Sequence, residues 1–125
     1  MGQSKPIATD TILIVEDEAI IRFELIDLFE EEGYRVFAAA DADEAIAILD
    51  RHGEVRVVLT DIEMPGTMDG LRLAHHIRDR YPPTLLLVVS GRRSVPESDM
   101  PEHSAYFAKP FDPAAVLRKI DEMTR

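Results

Sequence analysis

Apolar and polar positions follow two rhythms along this chain. Short, almost unbroken apolar runs occur at residues 11–15 (TILIV), 56–60 (RVVLT) and 84–89 (TLLLVV). Between them lie longer stretches in which apolar residues return every three or four positions. The runs have the pattern of strands covered on both faces, and the longer stretches that of amphipathic helices. In order, the pattern predicts a strand at 11–15. A helix follows over Ile20, Ile21, Phe23, Leu25, Ile26, Leu28 and Phe29, stopped by Gly33. A second strand spans 34–39. The second helix is capped by Asp41, with Glu44 three residues on in a capping-box-like pattern, and carries Ala42, Ala45, Ile46, Ile48 and Leu49. The third strand is 56–60.

A third helix is predicted at 69–80, with Leu71, Leu73, Ala74 and Ile77 apolar, ended by Tyr81-Pro82-Pro83. The fourth strand is 84–89. Residues 92–103 hold Pro96 and Pro101 and admit only a short helical turn. A fifth strand at 105–108 stops at Lys109-Pro110. Asp112 then caps the last helix, with Pro113 at its first position and Val116, Leu117 and Ile120 facing inward. Alternating strands and helices predict an α/β protein: a (βα)5, flavodoxin-like three-layer sandwich with a parallel five-stranded sheet, its fourth helix short or irregular. Residues 1–10 read as a loose polar lead-in and 11–125 as one domain.

Composition narrows the chemistry. With 125 residues, 46% hydrophobic and 30% charged, the chain has the make-up of a water-soluble domain. It contains no cysteine, which excludes disulfides and thiolate metal sites and suits a reducing cytoplasm. Neither a signal-peptide pattern nor an apolar run of membrane-spanning length is visible. A net charge of −10 argues against a nucleic-acid face and for proteins or a cation as partners.

In an open parallel sheet ligands collect at the carboxyl ends of the strands. The strand ends here deliver Glu16 and Asp17, then Asp61, then Ser90, then Lys109. In the order 2-1-3-4-5 the first, third, fourth and fifth strands are neighbours, so these residues converge on one crevice. Two carboxylates 4 Å apart repel by roughly 4 kcal/mol at an effective dielectric of 20. Such a cluster requires compensating cations. Oxygen-only ligands suit Mg²⁺, or Mn²⁺, and Lys109 supplies a further positive charge. An aspartate there serves either as metal ligand or as a nucleophile toward phosphorus, while its plainer role is to cap the turn.

Glu16-Asp17, Asp61 with Met64-Pro65 and Asp69-Gly70, Ser90, and Lys109-Pro110, arriving in this order from Thr11 to about Thr124, resemble the receiver domain of two-component response regulators. The resemblance implies that Asp61 is the phospho-acceptor, taking its phosphoryl group from a partner phosphohistidine on a sensor histidine kinase or a histidine phosphotransfer protein. It implies Mg²⁺ held directly by Asp17 and Asp61, by the Glu63 backbone carbonyl, and by Glu16 through water. It further implies Lys109 on the phosphate oxygens, Ser90 and Tyr106 as the switch pair, and a cis Lys109-Pro110 bond. Such a domain is a signalling switch that assists its own phosphorylation and dephosphorylation, and presents a docking surface to a downstream protein target.

The chain departs from the family pattern in two places. The loop after Asp61, with Gly66-Thr67, is one residue longer than usual, and residues 90–109 lack room for a regular fourth helix. Glu63 and Arg92 should flank the pocket mouth and pair there, restricting the attacking water. Glu18 reads as a helix N-terminal acid, Tyr106 equally as half-buried packing, and Met64, Met68 and Met100 as gap-fillers. His75 and His76, adjacent on a helix, make an improbable metal pair. The chain ends one helix after Lys109-Pro110, which leads to the expectation of a stand-alone receiver without an output domain. A phosphate shuttle or sink, and a receiver fragment of a hybrid kinase, are the alternatives. Two other classes are disfavoured. A flavin binder needs a phosphate loop where Glu16-Asp17-Glu18 stands, and a haloacid-dehalogenase-type phosphatase carries its nucleophile after the first strand.

Overall fold

A computed structural model describes residues 10–66, 68–92 and 94–124; most of the predicted lead-in, together with Thr67 and Arg93, lies outside the described residues. Every residue of β1 (Thr11–Val15), β3 (Val57–Asp61) and β4 (Leu85–Ser90) is buried. That is what unbroken apolar runs demand, since no solvent face exists for a polar residue to occupy. β2 (Arg35–Ala39) and β5 (Ser104–Ala108) are half-exposed and form the two edges. The sheet is wholly parallel, in the order β2-β1-β3-β4-β5. Four of the predicted strands begin or end one residue from their expected limits.

Successive side chains on a strand point to opposite faces, and the core divides accordingly. Leu13, Val15, Val58, Leu86 and Val88 meet Ala45 and Leu49 of α2 (Ala42–Arg51) and Leu73, Ala74 and Ile77 of α3 (Gly70–Arg80). Ile12, Ile14, Val57, Leu59, Leu85, Leu87 and Val89 meet Phe29 of α1 (Ala19–Glu31) and Val116 and Ile120 of α4 (Pro113–Thr124). The result is a three-layer sandwich with two helices on each face.

Local signals explain where the helices begin. Asp41 accepts the Glu44 amide at 2.9 Å, and Asp69 accepts that of Arg72 at 2.9 Å. The Glu44 carboxylate reaches back to the Ala40 amide at 2.7 Å, one residue further than a regular capping box. Asp112 accepts the Ala114 amide at 3.0 Å as α4 starts. Gly33, at φ 93°, turns the chain out of α1 in a conformation that favours glycine.

One helix departs from its expected pattern, and the short turn expected between β4 and β5 is present. In α1 the apolar residues surround the helix; only Phe29 is buried, and Ile20 and Phe23 are 75% and 59% exposed. Between β4 and β5 the fourth helix is reduced to a three-residue 3₁₀ turn, Glu97–Asp99. Side chains of α3 brace this segment and the loop before β4. Arg78 donates to the carbonyls of Thr84 (2.6 Å), Glu102 (2.7 Å), His103 (3.0 Å) and Pro82, and the His75 ring lies 2.7 Å from the Asp99 carbonyl.

Candidate functional site

The strand ends assemble the site. Glu16 follows β1 directly, and its amide bonds to the Ala39 carbonyl at 3.0 Å, which keeps the acidic turn pressed to the sheet edge. Its carboxylate accepts the Glu18 amide at 3.0 Å. Arg22, one turn into α1, donates to the Glu16 carbonyl at 2.8 Å and, more weakly, to that of Asp17 at 3.4 Å. Glu18 stands at the N-cap of α1 without a side-chain capping bond. Asp61 is the last residue of β3, and its two oxygens are used differently: Oδ1 accepts the Glu63 amide at 3.2 Å, Oδ2 the Lys109 ammonium at 2.7 Å.

Glu16, Asp17 and Asp61 each bring a carboxylate oxygen within 4.8 Å of the others. Glu16 is 2% and Asp61 4% exposed, whereas Asp17 faces solvent. Two carboxylates out of water beside a third demand positive charge. Lys109 supplies part of it, bridging Asp61 at 2.7 Å and Glu16 at 3.5 Å. Burial raises the Glu16 pKa above the usual carboxylate value; the Glu18 amide and Lys109 pull it down, but Asp61 pushes upward too, and the net shift is up. Burial alone would lower Lys109; the Asp61 hydrogen bond and the Glu16 charge outweigh it, and its pKa is raised. The excess of negative charge and the hard oxygen donors suit a Mg²⁺-sized cation, with waters entering from the open Asp17 side.

The rest of the edge holds the neutral donors. Ser90 ends β4 and is 1% exposed. Its hydroxyl donates to Glu63 Oε2 at 2.5 Å, and the Gly91 amide donates to Glu63 Oε1 at 3.0 Å. The expected Glu63–Arg92 pair is not formed: Glu63 turns to Ser90 and Gly91, because a fixed hydroxyl and amide stand on the neighbouring strand end, and Arg92 is absent from the ion pairs among the described residues. Asp17, Glu18, Asp61, Glu63, Gly91, Arg92 and Lys109 line a cleft of about 420 Å³. Lys109-Pro110 is cis. Tyr106 lies outside this cleft, half-buried two residues before the end of β5. It lines a separate hollow of about 570 Å³ with Val95 and Met100, where the fourth helix is missing.

A doubly wound parallel sheet with an acidic nest and a lysine at its carboxyl edge defines a class of phosphoryl-handling α/β switches. The response regulator receiver domain family matches residues 12–121, and this chain belongs to that family. It is 38% identical over 107 residues to the aerobic respiration control protein ArcA of Escherichia coli (strain K12), a match covering 84% of this chain and 44% of ArcA. The chain thus spans less than half the length of that relative. A response regulator receiver protein from Sinorhizobium medicae WSM419 superposes with a TM-score of 0.83 at 26% identity, covering 91% of this chain and 93% of that one. The response regulator protein TrrA of Thermotoga maritima, solved in complex with Mg(2+)-BeF, gives 0.78 at 28% identity, covering 92% and 99%. The chain is therefore a receiver domain of two-component signalling, with the flavodoxin-like architecture read from its strand pattern.

The structure brings Glu16, Asp17, Asp61 and Lys109 into one nest, sets Ser90 and Glu63 at its rim, and leaves Tyr106 apart. The Glu63 side chain stands at the pocket mouth as expected but with Ser90 and Gly91 as partners, and two participants, the Gly91 amide and Arg22, were not anticipated. Arg22 alone had a usable hint, four residues after an N-cap position, where a long side chain folds back over the preceding turn.

Proposed function

We propose that this domain accepts a phosphoryl group on Asp61 from a phosphohistidine of a sensor kinase or phosphotransfer protein, and that Ser90 and Tyr106 relay the change to a protein target. The observation that carries this reading is Lys109 Nζ at 2.7 Å from Asp61 Oδ2, within a nest of three carboxylates drawn from two strand ends. In the transfer, an Asp61 oxygen forms a bond to phosphorus as the phosphorus–nitrogen bond of phosphohistidine breaks, and the released imidazole nitrogen takes up a proton. Lys109 follows the charge onto the phosphoryl oxygens. A Mg²⁺ ion held by Asp17, Asp61 and the Glu63 carbonyl, and by Glu16 through water, would supply further charge neutralisation. Dephosphorylation reverses the gain: water attacks phosphorus, the bond to Asp61 breaks, and inorganic phosphate leaves.

The donor's approach follows from the surface. Ile21, Leu25 and Leu28 of α1 face Pro110, Phe111 and Pro113 across a groove of about 490 Å³. Lys109 belongs both to this groove and to the acidic cleft. Exposed apolar surface that runs continuously to a reactive carboxylate suits a partner that must deliver its group there. We assign this groove, together with the exposed Ile20 and Phe23 of the same helix, to the phosphohistidine-bearing protein.

The deciding experiment is incubation with acetyl phosphate or phosphoramidate and Mg²⁺, followed by intact-mass measurement. One added phosphoryl group is expected on the wild type and none on Asp61→Asn. A phosphorylated Asp61→Asn protein, or an unmodified wild type, overturns the assignment.

A further inference from the structure

The Glu63 carboxylate holds the two nearest neutral donors at the site's rim, one oxygen on each: Ser90 Oγ at 2.5 Å and the Gly91 amide at 3.0 Å. Such a fork, a hydroxyl and an amide side by side, is an oxyanion receptor. A serine hydroxyl has a single proton. Here that proton is given to Glu63, while the Ser90 oxygen accepts the Arg92 amide at 3.3 Å. The backbone of Glu63 is tied down separately, its amide on Asp61 Oδ1 at 3.2 Å. The side chain, half-buried at the rim of an open cleft, is thus able to leave without moving the segment that touches Asp61.

We propose that Glu63 is an internal plug: its carboxylate fills the Ser90–Gly91 fork in the resting domain, and a phosphoryl group on Asp61 must evict it to gain the same two donors. This rests on Asp61 being the acceptor, and it deepens that reading by naming what the resting site is occupied with. Two anions cannot share one fork, because a phosphoryl group adds a charge of about −2 next to the carboxylate. Eviction of Glu63 into solvent and capture of Ser90 are then one event. The readiness of the domain to switch is set by a residue that neither accepts the phosphoryl group nor contributes its side chain to the metal nest.

The test uses the full chain with Mg²⁺ and beryllium fluoride, a phosphoryl mimic, followed by amide-resolved NMR. Before any addition, Glu63→Ala should shift the Gly91 amide resonance and speed its hydrogen exchange; an unmoved Gly91 amide means the fork is empty in solution and overturns the plug. On titration, Glu63→Ala should bind the mimic about tenfold more tightly than wild type, the scale of one charge-assisted hydrogen bond released. Removing a negative charge would help any anion, so the comparison is repeated on a Ser90→Ala background. There the gain should shrink to about threefold or less, since half the fork is gone. Equal affinities for wild type and Glu63→Ala, or an undiminished gain without Ser90, overturn the proposal. Failure of every variant to form an adduct at Asp61, with Gly91 still responding to Glu63→Ala, refutes the acceptor assignment instead, and with it the eviction step.

Discussion

Lys109 is the single side chain whose loss the nest can least absorb. It is 24% exposed, yet it neutralises two carboxylates that are almost wholly out of water, and no other ammonium or guanidinium pairs with them among the described residues. Removing one partner of such a buried set leaves charge uncompensated, which costs on the order of 3 kcal/mol. Lys109→Met is therefore expected to lose about 3 kcal/mol of stability in EDTA, measured by urea unfolding. Mg²⁺ at a hundredfold excess over its dissociation constant should return about 2.7 kcal/mol, because binding to the folded state alone adds to its stability. An unchanged urea midpoint in EDTA would show that the carboxylates find another route to neutrality. Glu63 teaches the complementary point at this scale. Its neighbours were legible, because strand ends can be counted, but its side chain's choice of Ser90 and Gly91 over Arg92 was not. That choice depends on which donors are held rigid across the strand gap, a three-dimensional fact with no trace in spacing.

At the scale of elements, two helices carry surfaces with separate consequences. α1 keeps Phe23 59% exposed, with the Arg22 guanidinium 5.6 Å from its ring centre. Phe23→Ser should leave stability within about 0.5 kcal/mol of wild type, as exposed substitutions do. It should slow phosphotransfer from a phosphohistidine donor about tenfold while acetyl phosphate still reacts at the wild-type rate, the profile of an interface anchor. Equal slowing with both donors would place the defect in the nest. α3, by contrast, props up the chain where a helix is missing. Arg78 serves four carbonyls from two segments, Pro82 and Thr84 before β4 and Glu102 and His103 before β5, and its burial lowers its pKa without removing its charge. Arg78→Met is expected to cost about 2 kcal/mol, and Arg78→Lys nearly as much, since an ammonium cannot reproduce the planar fork. Arg80→Met, on the same helix but in an exposed pair with Asp50 at 3.5 Å, should cost under about 0.5 kcal/mol by the same urea assay. The strands and helix starts were readable because burial and capping leave local marks: continuous apolar runs, and Asp41, Asp69 and Asp112 ahead of helical spacing. The facing of α1 was not, since apolar residues on every side of a helix give periodicity no direction. Nor was the Arg78 brace, whose partners are backbone carbonyls and so have no side-chain identity to read.

Across the whole molecule, stability at alkaline pH is shaped by a half-buried tyrosine with carboxylates around it. Tyr34 packs edge-on against the buried Phe29, ring centres 5.2 Å apart. Burial, aided by the carboxylates of Asp10, Asp121 and Glu32, pushes its hydroxyl up to about 12. An unfolded tyrosine releases its proton near 10. Between those values the folded chain holds a proton that the unfolded chain has lost, so stability falls as pH rises through the interval. The raised pKa of Lys109 acts with the same sign, its contribution present below the unfolded lysine value and lost as pH climbs through the folded one. Tyr34→Phe should therefore flatten the alkaline decline in urea midpoint without abolishing it. A slope identical to wild type would mean the ring is solvated in the folded state.

Gly70 opens α3 hard against the end of β3: a β-carbon there would stand 1.9 Å from the Asp61 carbonyl oxygen, and the Gly70 amide already bonds to the Ile62 carbonyl at 3.1 Å. Substituting alanine would have to wedge strand and helix apart by roughly an ångström. With no slack at this seam, the main chain at Asp61 and the first turn of α3 are held in one fixed spacing. A glycine that reacts with nothing thus sets how closely the end of β3 and the start of α3 are joined.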